Sequence, residues 1–407
     1  MVFVREYLKT KSLEDLEREH GVKARVHEYK FSLNYDHIES REDDLLAQQC
    51  RGLILRPTKI QELIDLTRPI GDTVILARSF DRFFNYGQSA AAEVDFNHPA
   101  TSFYEKMDGT LCIVYYDDVK NEWHVATRSL PEANLPVDGS GEYTFRTLFE
   151  KALEETVGKD FESWTSAQLF RDTTYMFELT SPANRIVVEY EGHSITLLAA
   201  RKTATGKELR PAFVQAQVKT PTAERYRFGS VSELVDFVSS CDPIKHEGIV
   251  VCDQHFRRIK IKNAGYLALN KVRDSVLKSP RGLVELLLLE KLDDALPLFP
   301  DHVVDRAHKL QASFRDLVAN YRDVYEACLA EVAAWNESRG WIHEKGSKEH
   351  RKMFALAVQA RKGWMAPMME QYQGRVSGLV DWIQSKRHVD GGWSNSFLDT
   401  VLQHLEN

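Results

Sequence analysis

The stretch YEKMDGTLCIVYYD, residues 104–117, places a lysine and an Asp-Gly turn directly before a strand-like alternation. The run TLCIVYYDD is followed by a polar turn and then by a second strand-like run, EWHVATRS. Two such runs around a short polar connection predict a β-hairpin. Lys106 therefore lies at the mouth of the predicted hairpin, with Asp108 and Gly109 just beyond it.

Further strand-like runs continue from this hairpin to about residue 265, with occasional helical segments between them. The strand candidates are YMFELTSP, RIVVEYEGHSITLLAAR, HEGIVVCD and FRRIKIKN. Helices are predicted at TFRTLFEKALEETV and at SVSELVDFVSS, where Ser230 is suited to cap the helix start. This mixture is typical of antiparallel sheets with added helices, so residues 1–275 are predicted to form an α+β domain.

The pattern becomes helical after about residue 275. Apolar residues recur at three- and four-residue steps through one long segment, namely at Leu310, Phe314, Leu317, Tyr321, Val324, Cys328, Val332 and Trp335. This spacing places them on one face of a helix. Proline and glycine signals separate further predicted helices at residues 280–295, 347–371, 376–386 and 395–405. Residues 276–407 are therefore predicted to form an all-α domain.

Composition and charge are those of an ordinary globular chain. Its 407 residues are 43% hydrophobic, enough for a sizeable core, and the net charge of −7 excludes a global basic field for nucleic acid. Five scattered cysteines without CxxC pairs or zinc spacing predict free thiols in a reducing compartment. The charged N-terminus does not fit a signal or transit peptide, and the longest apolar run, LVELLLLE, is too short to span a bilayer. We expect a cytoplasmic protein without membrane association.

Several charged residues lie on otherwise apolar strand candidates. In FRRIKIKN the two-residue period puts two isoleucines on one face and Lys260 and Lys262 on the other. Glu178 lies within an apolar strand, and Glu247 precedes a glycine and a buried strand run. Each of these charges, taken singly, is compatible with a solvated sheet face or with a local hydrogen bond at a strand end.

Together with Lys106, these charges suit the handling of a nucleotide or a phosphate. A lysine is nucleophilic only as the neutral amine, and neighbouring cations with partial desolvation lower its pKa toward that state. Lys260 and Lys262 are expected to supply those cations and to stabilise a transferring phosphoryl group. Glu178 and Glu247 are expected to hold Mg²⁺ and sugar hydroxyls, because hard divalent cations prefer oxygen ligands.

Four motifs in this order resemble the covalent nucleotidyltransferase superfamily of ATP-dependent ligases and RNA capping enzymes. KMDG matches its first motif, K-x-D-G, while FELTSPANRIV, HEGIVV and IKIKN resemble the third, fourth and fifth. Within that superfamily, the RNA ligase 1 family of T-even bacteriophages has segments similar to QQCRGLIL, ARSFDRFFNYGQ, WHVATRS and PANRIVVEY. Fungal tRNA ligases are more distantly similar. The resemblance covers most of residues 25–300 and implies an antiparallel-sheet, ATP-grasp-like nucleotidyltransferase domain at residues 1–275.

The resemblance assigns roles to individual residues. It implies Lys106 as the nucleophile and a set of nucleotide contacts at Tyr29, Arg51, Asp108, Gly109, Glu178, Glu247, Lys260 and Lys262. Asp108 and Gly109 also shape the turn that presents Lys106. The FFN segment, where the family usually has a lysine, carries Arg82, which keeps the charge for a phosphate contact.

Three further assignments concern metal and RNA. Glu178 is implied as a metal ligand, and Asp293 falls near the family's metal-binding aspartate, with Asp294 an equally good candidate. Tyr266, four residues past Lys262, falls where the family has a tyrosine implicated in acting on RNA.

The implied activity is an ATP-dependent ligation of RNA in three steps, with Mg²⁺ or Mn²⁺ as the metal. Lys106 attacks the α-phosphate of ATP and becomes a lysyl-AMP, the AMP passes to an RNA 5′-phosphate, and a 3′-OH then displaces the AMP. The resemblance implies a role in RNA or tRNA repair with nicked tRNA as a natural substrate. We expect a monomer, working alone or beside an end-healing kinase and phosphatase.

Other functions within and beyond the superfamily remain open at the level of the sequence. A fungal-type tRNA ligase sealing domain is one. DNA ligases and mRNA guanylyltransferases normally carry an OB-fold barrel after the fifth motif, where this sequence becomes helical. A catalytically silent RNA-binding relative is a further alternative, although binding alone does not require a lysine nucleophile.

The predicted helical domain contains a basic segment beside tryptophans. In HEKGSKEHRKMFALAVQARKGWM the cations are Lys345, Lys348, Arg351, Lys352, Arg361 and Lys362, and Trp341 and Trp364 lie close by. Basic and aromatic residues together suit phosphate contact and base stacking, so Arg351 and Lys352 are predicted to bind RNA. An amphipathic helix with a solvated basic face explains the same pattern.

Overall fold

The computed structural model of the protein describes residues 2–36, 39–60, 64–137, 141–289, 292–296, 299, 301–340, 344–361, 364–387 and 393–406. The chain divides into two compact units, Met1–Ala268 and Leu269–Asn407. This division falls seven residues before the boundary predicted at 275/276. Each unit is described by itself below.

Strands are confined to the first unit within the described ranges. In chain order they are β1 (Val22–His27), β2 (Lys30–Tyr35), β3 (Arg51–Pro57), β4 (Thr73–Ala77), β5 (Phe84–Asn85), β6 (Ser102–Glu105), β7 (Thr110–Asp117), β8 (Glu122–Thr127), β9 (Thr173–Thr180), β10 (Ser194–Lys202), β11 (Glu208–Leu209), β12 (Arg225–Tyr226), β13 (Gly248–Cys252) and β14 (Arg258–Lys262).

The helices lie in both units. They are α1 (Phe3–Tyr7), α2 (Leu13–His20), α3 (Leu45–Gln49), α4 (Phe145–Val157), α5 (Phe161–Gln168), α6 (Pro211–Val218), α7 (Val231–Ser240), α8 (Ala264–Lys278), α9 (Arg281–Leu288), α10 (Leu292–Ala295), α11 (Asp301–Ser338), α12 (Lys348–Ala360), α13 (Met365–Tyr372), α14 (Leu379–Ser385) and α15 (Asn395–Glu406).

The strands form three sheets with the orders β1-β2-β3-β4, β11-β10-β9-β7-β8 and β12-β6-β13-β14-β5. Neighbouring strands are antiparallel except for β14 and β5, which run parallel. The predicted α+β class with antiparallel sheets is therefore confirmed, and the region after it is helical.

The hairpin predicted from residues 104–129 is formed by β7 and β8. Asp117 pairs with Glu122 next to the turn, and Cys112 pairs with Thr127 at the open end. Cys112 is buried in the same apolar cluster as Phe149 of α4, so the helix covers one face of this sheet. The predicted helix over residues 230–240 is also confirmed, because the Ser230 hydroxyl accepts a hydrogen bond from the Glu233 N–H at 3.1 Å and α7 begins at the next residue.

The strand predicted to begin at Arg185 is wrong over its first half. Residues 185–193 are irregular, and β10 begins only at Ser194. The backbone N–H groups of Val187 and Val188 both donate to the carboxylate of Asp108, at 2.8 Å each, so they are not available to a neighbouring strand.

The second unit is built around α11, the long helix predicted from the apolar period. Leu310, Tyr321, Cys328 and Val332 of α11 are buried, and the intervening apolar positions are half-buried against the same cluster. The helix predicted over residues 347–371 is two helices, because α12 ends at Ala360 and α13 begins at Met365. Residues 280–295, also predicted as one helix, contain two, since α9 ends at Leu288 and α10 begins at Leu292. The helices predicted at residues 376–386 and 395–405 correspond to α14 and α15.

Two expectations from composition concern thiols and membranes. All five cysteines are free, and four of them are buried. Among the helices in the described ranges, none has the length and apolar character needed to cross a bilayer.

Candidate active site

The loop that carries Lys106 is held between two other strands. The backbone N–H of Lys106 donates to the carbonyl oxygen of Gly248 at 2.9 Å, directly after β6 ends. A Cβ added at Gly109 would collide with the carbonyl oxygen of Leu179 on β9. The Asp-Gly turn therefore packs so closely on β9 that only glycine fits, and this contact fixes where Lys106 emerges.

Glu247 holds two of the predicted lysines at once. Its Oε2 lies 2.7 Å from Lys106 Nζ, and its Oε1 lies 2.7 Å from Lys262 Nζ. The Glu247 side chain is only 3% exposed, whereas Lys106 and Lys262 are 22% and 18% exposed. A buried carboxylate thus orients two partly accessible ammonium groups, which places the predicted nucleophile beside a cation.

The predicted lowering of the Lys106 pKa is wrong for this state of the protein. Burial lowers the Lys106 pKa, but the carboxylates of Glu247, Glu178 and Asp108 outweigh it and raise the pKa above its ordinary value. Lys106 is therefore a charged ammonium held by Glu247.

The lowered pKa belongs to Lys260 instead. Burial lowers the pKa of Lys260 to about 8, and the charges of Lys262, Lys106 and Arg51 act in the same direction. Ile259 and Ile261 are buried on the opposite face of β14, so the predicted alternation is confirmed. The Lys260 ammonium lies 5.6 Å from the ring centroid of Phe83.

Glu178 is a desolvated carboxylate without a hydrogen bond to any described residue. Burial raises its pKa to about 7, which Glu247 and Asp108 reinforce and Lys106 and Arg51 oppose. An uncommitted carboxylate in this position suits a hard divalent cation, because Mg²⁺ uses one or two protein carboxylates and takes its other oxygen ligands from water and phosphate. Within the described ranges, no cluster of three or more His, Cys, Asp or Glu side chains could hold a metal.

Asp108 is buried and its carboxylate is occupied by the protein. It accepts hydrogen bonds from the N–H groups of Val187 and Val188 and from the hydroxyl of Tyr266, at 2.7 to 2.8 Å. The Asp108 N–H in turn donates to the Tyr190 hydroxyl at 3.1 Å. Asp108 therefore acts on the turn, as expected, and both of its carboxylate oxygens already accept hydrogen bonds from the protein.

The RNA contact predicted for Tyr266 is not available in this structure. Tyr266 is only 2% exposed and its hydroxyl is committed to Asp108. Burial and the nearby carboxylates of Glu247 and Asp108 raise its pKa well above the usual range, so it remains a neutral hydrogen-bond donor. Tyr266 supports the Lys106 turn from α8 through this bond.

Arg51 and Arg82 lie together against aromatic rings. The guanidinium of Arg51 lies 5.2 Å from the centroid of Phe83, and that of Arg82 lies 4.5 Å from Tyr35. Each has one buried Nη1 without a hydrogen-bond partner, and burial lowers the pKa of Arg51. Unpaired buried nitrogens of two arginines are suited to receive an anion.

The nucleotide contact predicted for Tyr29 is wrong. Its hydroxyl donates to Asp117 at 2.8 Å, at the far end of β7, roughly 25 Å along the strand from the Lys106 turn. The tyrosine that does join the site is Tyr35, whose ring contacts Arg82 and also lies 5.8 Å from Arg128. Tyr35 and Arg128 were both missed, although Arg128 lies within the quoted segment WHVATRS.

The remaining assignments fall in the second unit. The backbones of Asp293 and Asp294 form part of α10, but their side chains lie outside what the structure describes, so the metal assignment stays a prediction. Arg351 and Lys352 are exposed on α12, opposite its buried residues Met353 and Phe354. Trp341 and Lys362 lie outside the described residues.

Comparisons with known proteins address the family of the chain. A family model described as RNA ligase matches residues 49–266, more than half of the chain. The chain belongs to the RNA ligase family. This match spans Arg51, Lys106, Glu178, Glu247 and the lysines of β14 and confirms the resemblance drawn from the four motifs.

The curated relatives carry the same family name. A bifunctional polynucleotide kinase/RNA ligase of Autographa californica nuclear polyhedrosis virus is 33% identical over 280 residues, which are 66% of this chain and 37% of the viral protein. The chain therefore matches little more than a third of that relative's length. An RNA ligase of Rhodothermus phage RM378 is 25% identical over 380 residues, covering 79% of this chain and 80% of the phage protein.

Solved structures of RNA ligases are also similar. The Naegleria gruberi RNA ligase with pyrophosphate is 14% identical, with 42% of this chain and 52% of that chain covered and a TM-score of 0.32. An archaeal ATP-dependent RNA ligase is 11% identical, with 97% and 85% covered and a TM-score of 0.39.

Proposed function

We propose that this RNA ligase family member is an ATP-dependent RNA ligase with Lys106 as its adenylated nucleophile. The observation that carries the proposal is the clamp of Glu247 on Lys106 and Lys262 beside an uncommitted carboxylate, Glu178. A second desolvated carboxylate costs free energy and is not needed for a purely structural ion pair.

The chemistry begins at the Lys106 amine. After losing a proton, Nζ attacks the α-phosphorus of ATP, an N–P bond forms and the bond to pyrophosphate breaks. A 5′-phosphate oxygen of RNA then attacks the same phosphorus, the N–P bond breaks and the amine regains a proton. Finally a 3′-OH attacks the RNA 5′-phosphate, releasing AMP and sealing the strand.

The protein's cations are placed to stabilise negative charge in these steps. Lys260 and Lys262 project from one face of β14, and Arg51 and Arg82 each offer an unpaired Nη1. Such donors are suited to the phosphates of ATP and to the departing pyrophosphate. The family usually has lysine at the position of Arg82. Because the Arg82 guanidinium has parallel N–H donors, it is able to contact two phosphate oxygens at once.

Glu178 is the side chain that would hold a divalent cation, Mg²⁺ or Mn²⁺. When bound there, the cation supplies positive charge that offsets the carboxylate field which raises the pKa of Lys106. Asp108 keeps the turn in place through Val187, Val188 and Tyr266 throughout.

The fold after the fifth motif supports RNA ligation over the other activities of the superfamily. Within the described ranges, every element after β14 is a helix, whereas an OB-fold of a DNA ligase or a capping enzyme would consist of short strands. The name of the viral relative joins a kinase to a ligase, which supports a role in RNA or tRNA repair beside an end-healing kinase.

The test is incubation with divalent metal and ATP labelled at the α-phosphate. We expect a covalent label on the wild type that falls by a factor on the order of 10³ or more in Lys106→Ala. Lys59→Ala is the matched control, because Lys59 is an exposed lysine beyond the end of β3. Absence of label on folded wild-type protein would sink the proposal.

The nucleic acid that accepts the AMP is then identified by measuring AMP transfer from the enzyme. Enzyme carrying labelled AMP is offered RNA with a 5′-phosphate, RNA with a 5′-hydroxyl, and DNA with a 5′-phosphate. Transfer to the first alone supports RNA ligation; transfer to DNA with equal rate argues for a DNA ligase instead.

A further inference from the structure

A cavity of about 490 Å³ lies in the first unit beside the candidate active site. Its wall is formed by Phe80 and Phe83, by Lys207 in the connection between β10 and β11, and by His255 and Phe256 in the connection between β13 and β14. None of the three steps proposed above uses Lys207, His255 or Phe256.

The floor of the cavity is a fixed ion-pair network. The guanidinium of Arg258 binds the carboxylate of Glu208 through two nitrogens, and Arg201 contacts Asp81 at 3.0 Å and Glu208 at 3.5 Å. Arg201 and Glu208 are buried, so these charges are held rigidly. The two floor arginines are therefore fixed by ion pairs with the two carboxylates.

The cavity lining has more cations than carboxylates, and Lys207 has no carboxylate partner among the described residues. Five of its lining side chains are arginine or lysine, and two are carboxylates. Lys207 is exposed and makes no side-chain hydrogen bond or ion pair with any described residue, and Arg201 Nε is buried without a hydrogen-bond partner. Arg257 is paired with Asp253, outside the lining, at 2.7 Å. This excess of donors favours an anionic ligand.

The turn between β13 and β14 is built to present its tip to the cavity. Asp253 accepts hydrogen bonds from the N–H groups of His255 and Arg257, both at 2.9 Å, and Phe256 has a φ of 62°. A phenylalanine in the left-handed region is strained, and such strain is retained mainly at sites of binding or catalysis. Phe256 therefore brings an aromatic ring to the cavity lining, where the Arg210 guanidinium lies 5.2 Å from the ring centroid.

Two phenylalanines of the cavity wall also contact cations of β14. Arg258 lies 4.5 Å from the centroid of Phe80, and Lys260 lies 5.6 Å from the centroid of Phe83. Arg258 and Lys260 are two residues apart on one face of β14, about 7 Å along the strand. A ligand in the cavity is thus within one nucleotide's reach of the phosphate donors around Lys106.

From these observations we propose that the cavity binds the terminal nucleotide of the RNA strand that carries the 5′-phosphate. The phosphate lies against Lys207 and the floor arginines, and the base stacks on Phe256. A terminal phosphate carries more charge than an internal diester, which suits a lining where cations outnumber carboxylates and where Lys207 has no carboxylate partner among the described residues. The proposal rests on the ligase function proposed above, because only that function requires such an end.

The β- and γ-phosphates of ATP are chemically similar occupants, and the experiment separates them. Lys207→Glu is compared with Lys59→Glu, which makes the same charge change at an exposed site beyond β3. For Lys207→Glu we expect lysyl-AMP formation with the wild-type KM for ATP, and an increase of about tenfold in KM for 5′-phosphorylated RNA during AMP transfer. Lys59→Glu should change neither.

A binding measurement keeps this proposal separate from the ligase proposal. Fluorescently labelled RNA with a 5′-phosphate or a 5′-hydroxyl is titrated with Lys106→Ala protein, with and without Lys207→Glu. Tighter binding of the 5′-phosphate RNA, lost with Lys207→Glu, supports the subsite even where adenylation fails. An effect on the KM for ATP alone assigns the cavity to the triphosphate and overturns the proposal, as does no effect on either substrate.

Discussion

Two lysine–carboxylate clusters lie at opposite ends of β7 and use the same chemical groups differently. At the end of the strand, Lys30 and Asp117 are both 0% exposed and lie 2.9 Å apart. Before its start, Lys106 lies 2.7 Å from Glu247 but is 22% exposed. We call them the sealed cluster and the open cluster.

The two clusters differ in the hydrogen bonds and ion pairs that their other side chains make. In the sealed cluster Asp117 also accepts from the Tyr29 hydroxyl, and Lys30 contacts Glu132 at 2.8 Å. In the open cluster Glu178 has no hydrogen bond to a described residue. A lysine beside a carboxylate is therefore a structural pair where burial is complete, and a reactive candidate where neighbouring groups are left uncommitted.

The largest expected effect is on stability, in the sealed cluster. Lys30→Met leaves the carboxylates of Asp117 and Glu132 buried without their ammonium, which should lower the free energy of unfolding by about 3–5 kcal/mol. Urea denaturation measures the loss. Lys106→Met is the matched change in the open cluster, and because Lys262 still neutralises Glu247, its stability should stay within about 1 kcal/mol of wild type. Equal losses in the two variants would erase the distinction between the clusters.

The next effect is on the pH dependence of stability, which should have opposite signs for Glu178 and Glu132. Burial raises the folded-state pKa of Glu178 from 4.5 to about 7, so its contribution to stability is present at acid pH and is lost as the pH rises through 7. Glu178→Gln should match wild type near pH 4 and exceed it by up to about 3 kcal/mol near pH 8. Thermal unfolding across this range measures the difference.

Glu132 in the sealed cluster should behave in the reverse way. Burial alone would raise its pKa, but Lys30 and the nearby histidines hold it at about 2. Its contribution is therefore present above pH 4.5 and is lost as the pH falls toward 2. Glu132→Gln should be less stable than wild type at pH 7 and converge with it in acid. A Glu178→Gln variant that is also destabilised at pH 8 would contradict the assigned difference.

A smaller effect on stability is expected at Tyr266, the buried residue that holds Asp108 next to the open cluster. Tyr266→Phe removes one hydrogen bond to the carboxylate of Asp108 and should cost about 2 kcal/mol of unfolding free energy. Lysyl-AMP formation should slow with it, because the nucleophile turn loses a support, whereas transfer of AMP to RNA from preformed lysyl-AMP should slow no further. A defect confined to the RNA step would restore the RNA contact predicted from the sequence.

The smallest effect on stability is expected for cations with no buried partner. Arg351→Ala with Lys352→Ala on α12 should change unfolding by less than about 0.5 kcal/mol, since both side chains are exposed. If this face contacts RNA, KM for RNA rises several-fold and lysyl-AMP formation is unchanged. Lys309→Ala with Arg322→Ala, exposed on α11, is the control. Identical KM values in the two double variants would reject RNA binding by α12.

Local patterns were sufficient for the strands and helices that carry the site. The β7–β8 hairpin, the two lysines on one face of β14 and the period of α11 follow from side chains whose spacing alone decides which face is buried. The order of the four motifs was sufficient for the family. These features depend on neighbours in the chain or on residue identity.

Features that depend on distant partners were not predictable in the same way. Tyr29 and Tyr35 stand at the two ends of β2, and only the pairing of sheets decides which tyrosine meets Arg82. The irregular path at Val187 follows from a carboxylate about eighty residues earlier. The raised pKa of Lys106 results from a balance between burial and three carboxylates, and counting the neighbouring lysines alone gives the wrong sign.

The ion pair between Glu247 and Lys106 has a consequence for chemical labelling of lysines in this protein. Amine-reactive electrophiles acylate the neutral amine, and the lysine of the site whose pKa is lowered, to about 8, is Lys260. Such a reagent should therefore modify Lys260 in preference to Lys106, the proposed nucleophile. Covalent inhibitors aimed at Lys106 would have to weaken its ion pair with Glu247, so a screen for lysine reactivity alone would overlook them.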